Sequence, residues 1–172
     1  MYCKCGSIEK ALTVFQEMKD KDSVSWTSVI CGLAMNGQSN RALILFSQMV
    51  REGTRPIHGT FIGVLLACVH AGLVDKGLEF FLSMQREYKL VPEMRHYGCM
   101  VDLFCRAGEL HRANEFIIRM PMVPDAVVWR MLLSSCKLHG DMILAKIASD
   151  KLIELDPSNG WSSIEMNHSS FK

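Results

Sequence analysis

The sequence predicts an all-α protein, an α-solenoid of stacked helix-turn-helix repeats. Two recurring marks and one helical rhythm predict it. Aromatic residues that follow short polar stretches stand at Trp26, Phe61, Tyr97 and Trp129, spaced by 35, 36 and 32 residues. Glycines stand at Gly37, Gly72, Gly108 and Gly140, each 11 residues after its aromatic residue. Between the two marks apolar residues recur at helical spacing, as in Trp26, Val29, Ile30, Leu33 and in Tyr97, Met100, Val101, Phe104. Self-similarity at a period of this size is the mark of a repeat architecture.

Each element follows from the same ruler. The chain opens with Gly6, Ala11, Phe15 and Met18 at the offsets of a second helix, so it is expected to start inside a repeat, as a truncated or fragmentary product. The first helix of the next unit runs from the Trp26 region to Asn36-Gly37, where glycine takes the left-handed capping position. The second helix carries Ala42, Leu45, Phe46 and Met49 and ends at Arg51-Glu52-Gly53 with Pro56 beyond. Later units repeat the plan. A small residue (Ala42, Gly77, Ala113, Ala145) lets two helices approach closely. Three recurring positions then follow in Phe46, Phe81, Ile117, Ser149, in Met49, Met84, Met120, Leu152, and in the closing Pro56, Pro92, Pro124, Pro157. One hairpin of this kind cannot bury both of its apolar faces, so neighbours must stack.

Composition narrows the function classes. The 172 residues are 49% apolar and 22% charged, which suits a folded chain and excludes a polar disordered tail. The net charge is +1, so any nucleic-acid site must be a local surface. The longest apolar run, Val64 to Val69, is far short of the roughly 20 residues that cross a bilayer. The opening Met1-Tyr2-Cys3-Lys4-Cys5-Gly6 lacks the long apolar stretch of a signal peptide, so none is expected in it. The seven cysteines (Cys3, Cys5, Cys31, Cys68, Cys99, Cys105, Cys136) include no C-x-x-C pair, so they read as small core residues in a reducing compartment and not as metal ligands.

The unit lengths vary, and the glycine sits at the inter-helix turn, which distinguishes the pattern from the tetratricopeptide repeat. The strings SVSWTSVICGLAMNG, TFIGVLLACVHAGLVDKGLEFF, HYGCMVDLFCRAGEL and PDAVVWRMLLSSCKLHGD resemble the plant PLS subfamily of pentatricopeptide repeat (PPR) proteins, and the last of them its extension (E) motif. The resemblance implies a right-handed α-solenoid. It divides the chain into the end of a short repeat (1–22), a standard repeat (23–57), a long repeat (58–93), a short repeat (94–125), an extension hairpin (126–159) and an irregular tail (160–172). A second extension hairpin is expected after Pro157 and looks deleted. No H-x-E with a C-x-x-C partner is present, so the deaminase-like domain is expected to be absent and the chain not to be an enzyme. No cofactor is implied.

PPR proteins read single-stranded organellar RNA at roughly one base per repeat, with two or three side chains each. Carried over by the resemblance, the reading positions are Thr27, Ile62 and Gly98 after the aromatic marks, and Asp22, Ile57, Glu93 and Asp125 at the unit ends. A small hydroxyl residue at the first position implies a purine, and a final Asp implies guanine. Thr27 fits, Ile57 departs from the expected polar residue, and the long repeat with Ile62 and Glu93 is expected not to follow the code. The implied role is a C-to-U RNA-editing specificity factor of the mitochondrion or chloroplast, with a deaminase or editing-complex protein recruited through residues 126–159. No membrane or small-molecule partner is implied. From another class stands a protein–protein scaffold, which the apolar Ile57 and Ile62 favour. Other candidates read as structure: His96, His111 and His139 lack recurring carboxylates, the Met49, Met84, Met120 stripe reads as core between hairpins, and Lys4, Arg41, Arg106, Arg112 and Lys137 read equally as phosphate contacts or a solvated face.

Overall fold

The recurring glycines set the backbone before anything else does. In the computed structural model, which describes residues 8–156, Gly37, Gly72, Gly108 and Gly140 all lie in the left-handed region, with φ between 66° and 76°. The residue after each glycine donates its N–H back across the helix end, from Gln38 to Leu33 O, Leu73 to Cys68 O, Glu109 to Phe104 O and Asp141 to Cys136 O. These are Schellman closures, which use the last free carbonyls of a helix and turn the chain sharply.

Nine helices result among the described residues: α1 (Ile8–Glu17), α2 (Ser23–Met35), α3 (Ser39–Arg51), α4 (His58–Ala71), α5 (Val74–Arg86), α6 (Met94–Arg106), α7 (Leu110–Ile118), α8 (Ala126–His139) and α9 (Met142–Leu155). They pair as α2–α3, α4–α5, α6–α7 and α8–α9, each pair closed by one of the four glycines. Gly6, Cys3, Cys5, Lys4, Pro157 and the tail at 160–172 lie outside the described residues.

Two rows form. The first helices pack directly on one another, α2 on α4, α4 on α6 and α6 on α8. The second helices stand farther apart and meet through long side chains, as where Phe46 of α3 reaches Phe80 of α5 with ring centroids 5.4 Å apart. The first helices thus form the tighter of the two rows of an α-solenoid.

The core is a strip between the rows. Trp26 and Phe61 are fully buried and Trp129 nearly so, while Tyr97 is half-buried and stacks edge-on against Phe81. Met49, Met84, Met120 and Leu152 are buried at the matching position of the four later units, as their recurrence predicts, whereas Met18 of the first is exposed. Cys68, Cys105 and Cys136 are buried among them. The small residues act as expected. A Cβ on Gly77 would collide with buried Leu103, and one on Gly63 would lie 2.8 Å from Cys31 Sγ and 3.1 Å from the Cys31 backbone nitrogen. Glycine thus sets the close approach of α4 to α2 and of α5 to α6.

Candidate nucleic-acid interface

The unit-end residues turn out to open helices. Asp22, Ile57, Glu93 and Asp125 are the N-cap residues of α2, α4, α6 and α8. Asp22 Oδ1 accepts from the Ser25 N–H at 2.8 Å and from the Ser25 hydroxyl at 2.7 Å. Those two bonds, the N–H first, hold the Asp22 carboxyl below the usual carboxylate range. Asp125 Oδ1 accepts from Val127 N–H at 2.9 Å and Val128 N–H at 3.1 Å. All these bonds use Oδ1, and Oδ2 of each carboxylate takes part in none of them. Both aspartates therefore have a structural job beside any role toward a ligand, and the sequence shows it in the Asp-x-x start that favours capping.

Ile57 and Glu93 do not cap in this way. Their place is taken three residues on. Ile57 N–H donates to Thr60 Oγ1 at 3.0 Å, and Glu93 N–H donates to His96 Nδ1 at 3.0 Å. Both substitutes are fully buried and reach back to the preceding unit. Thr60 Oγ1 lies 2.6 Å from Thr27 Oγ1, and His96 Nε2 lies 3.0 Å from the His58 carbonyl. In α8 the same position is Val128, which can form no such bridge. Sequence reading placed His96 among surface or packing residues and missed this role. The signal was its position, one residue before the aromatic mark, shared with Thr60.

Val128 instead lines an open surface. A groove of about 400 Å³ runs across α4, α6 and α8. Ile62, Gly98 and Asp125 all line it, with Leu66, Cys99 and Met131 as apolar wall and Arg95 and Asp102 at its charged edge. Three of the seven positions expected to read bases thus share one groove, although they stand on three different helix segments, α4, α6 and the start of α8. Thr27 sits one junction further along the same row, half-buried between α2 and α4. Asp22, Ile57 and Glu93 stand exposed at the helix starts outside the groove, with Glu93 Oε1 3.8 Å from His58 Nε2.

The chemistry on offer is binding. Burial pushes the Cys99 thiol in the groove up to about 11, as it does those of Cys68, Cys105 and Cys136, so these sulfurs are protonated at neutral pH and poor nucleophiles. Among the described residues no three His, Cys, Asp or Glu side chains gather as a metal site, and no helix is long and apolar enough to cross a membrane. Of the bases singled out in the sequence, Arg41 pairs with Glu9 at 2.7 Å, Arg106 with Asp102 at 3.0 Å, and Arg112 with Glu109.

A family model for the PPR repeat matches residues 1–23, 24–54, 60–88 and 95–122. The chain belongs to the pentatricopeptide repeat family. Pentatricopeptide repeat-containing protein At5g08510 of Arabidopsis thaliana is 47% identical over 98% of this chain and 33% of its own length. Two further Arabidopsis PPR proteins, At2g03880, described as mitochondrial, and At3g49170, described as chloroplastic, are 48% and 45% identical. This PPR chain spans 25% and 20% of those two relatives. Maize PPR10 in complex with an 18-nt psaJ RNA element shares the fold, with a TM-score of 0.79 at 17% identity over 88% of this chain and 23% of PPR10. The PPR domain of Arabidopsis protein-only RNase P 1 in complex with tRNA has a TM-score of 0.73 at 19% identity, over 89% of this chain and 84% of that one.

Proposed function

We propose that this PPR chain binds single-stranded RNA along its row of first helices and reads bases at Thr27, Ile62 and Gly98, with Asp22, Ile57, Glu93 and Asp125 as the second set. The observation that carries the reading is the shared groove: Ile62 of α4, Gly98 of α6 and Asp125 at the start of α8 line one open surface. A base laid there meets apolar walls on its faces and the Asp125 carboxylate at its edge, and carboxylates accept from base amino and imino groups.

The finer reading follows the sequence motifs. The chain is part of a PLS-type protein with an E motif, divided at 23–57, 58–93, 94–125 and 126–159, and serves as a specificity factor for C-to-U RNA editing. Its site of action is the mitochondrion or chloroplast, the two organelles that the relatives' descriptions name. It recruits a deaminase or editing-complex protein through residues 126–159 and has no catalytic step of its own.

Magnitudes set what the isolated chain does. A good base contact contributes about 1–3 kcal/mol. Two or three imperfect contacts give about 2–6 kcal/mol, hence dissociation constants of tens of micromolar or weaker. The test is a titration with single-stranded RNA octamers at increasing salt, with duplex DNA as control. Sequence-selective binding that persists at moderate salt supports the reading. Binding that is equal for all oligomers and vanishes with salt contradicts it. A second reading, a peptide-binding scaffold, is favoured by the apolar groove wall. It predicts that RNA fails to displace an apolar peptide from Met131.

A further inference from the structure

The junction between α2 and α4 holds the Thr27 side chain from two directions. On one side its Oγ1 lies 2.6 Å from Thr60 Oγ1. On the other its Cγ2 lies against α4, where a Cβ on Gly59 would come within 3.2 Å of it. Thr60 is itself fixed, being fully buried with the Ile57 N–H donating to its Oγ1 at 3.0 Å. A lone threonine hydroxyl rotates and offers a donor or an acceptor as its partner requires. Here one of those capacities is committed to Thr60, so Thr27 presents only what remains.

We propose that Thr60 is a positioning residue for base recognition by Thr27. It fixes the direction of the Thr27 hydroxyl and occupies one of its hydrogen-bonding capacities, so the base preference of one unit depends on a residue of the next. The proposal rests on the reading of Thr27 as a base contact. The neighbouring junctions set its scope. In α6 the corresponding residue is His96, whose Nε2 meets the His58 carbonyl at 3.0 Å, while Ile62, which stands where Thr27 does, has no side-chain hydroxyl to meet it. In α8 it is Val128, which has no polar atom on its side chain. The hydroxyl relay therefore belongs to the α2–α4 junction.

The test compares Thr27→Val, Thr60→Val and Thr60→Ser in the full chain. The probes are oligouridine octamers carrying one central A, G or C, and the readout is the ratio of their dissociation constants beside the overall affinity. The proposal predicts that Thr60→Val lowers the selectivity ratio as much as Thr27→Val does, on the order of fivefold for a lost hydrogen bond. Affinity for plain oligouridine stays within about twofold. Thr60→Ser keeps the hydroxyl and restores selectivity. If Thr27→Val abolishes selectivity while Thr60→Val keeps it, the relay is overturned and the reading stands. If Thr27→Val changes nothing, the base-contact reading falls, and the relay with it. Should Thr60→Val melt below the assay temperature, Gly59→Ala decides. It pushes the Thr27 methyl off its seat with the Ile57–Thr60 bond intact, and unchanged selectivity there overturns the proposal.

Discussion

His96 joins two helix starts through one ring. Its Nδ1 accepts from Glu93 N–H, so the ring proton sits on Nε2 and points at the His58 carbonyl. Burial pushes its pKa below the ordinary 6.5, with the His58 ring, 5.6 Å away, as a further unfavourable charge and Glu93 as a favourable one. A proton on Nδ1 would face the Glu93 N–H and break that bond. The unfolded chain therefore binds this proton more readily than the folded one, and stability rises with pH. The contribution is complete above the unfolded value near 6.5 and is lost as pH falls toward the folded value. The melting temperature should drop between pH 7 and pH 5, and His96→Thr, which copies the Thr60 arrangement, should flatten that drop. A profile unchanged by His96→Thr would place the acid sensitivity elsewhere. Gly98 offers a converse experiment. A Cβ there meets nothing within 4 Å, so the first side-chain atom of Gly98→Thr has room. It should raise affinity for guanine-bearing oligomers at least about threefold, measured against uridine-only controls, if Asp125 is its partner in reading. The sequence read His96 as structural but did not give its partners, because the His58 carbonyl lies across a junction in the neighbouring unit.

At the scale of the element, caps and close approaches decide. The α8 start depends on Asp125, whose Oδ1 accepts from two backbone N–H groups. Asp125→Ala should cost about 1 kcal/mol in thermal unfolding, and Asp125→Asn should cost much less because Asn caps as well. A change in RNA selectivity under Asp125→Asn is therefore a clean reading effect, whereas one under Asp125→Ala mixes in lost structure. The α2–α4 contact depends on Gly63. Alanine there gains about 1 kcal/mol in helix propensity. Its Cβ would press on the Cys31 sulfur at 2.8 Å and on backbone at 3.1 Å, an overpacking that costs about 1–3 kcal/mol. Because backbone cannot swing aside as a side chain can, the net should be destabilising, read as a lower denaturation midpoint. A raised midpoint would mean that the junction is looser than its geometry. Helix ends were legible in the sequence because glycine and Asp mark them chemically. The caps supplied by Thr60 and His96 were not, since nothing in Ile57 or Glu93 announces that the bond comes from three residues on.

Across the whole molecule, repetition made the fold legible. Four copies of one ruler fix the hairpins, and a hairpin with two apolar faces has to stack. The tight row of first helices then follows from small residues such as Gly63 that let backbones approach. The candidate site was legible only as a list of positions. The structure adds that Ile62, Gly98 and Asp125 share a groove across α4, α6 and α8, and that Val128 also lines it. A single unit could not reveal this, because the groove is made of three.

The most direct test of the RNA site on the first helices is amide-resolved NMR of the isotopically labelled chain titrated with single-stranded RNA octamers. The account predicts shifts concentrated at Thr27, Ile62, Gly98 and Val127 on α2, α4, α6 and α8, with α3, α5 and α7 nearly still. Shifts centred on α3, α5 and α7, or no shifts at millimolar RNA, would contradict it.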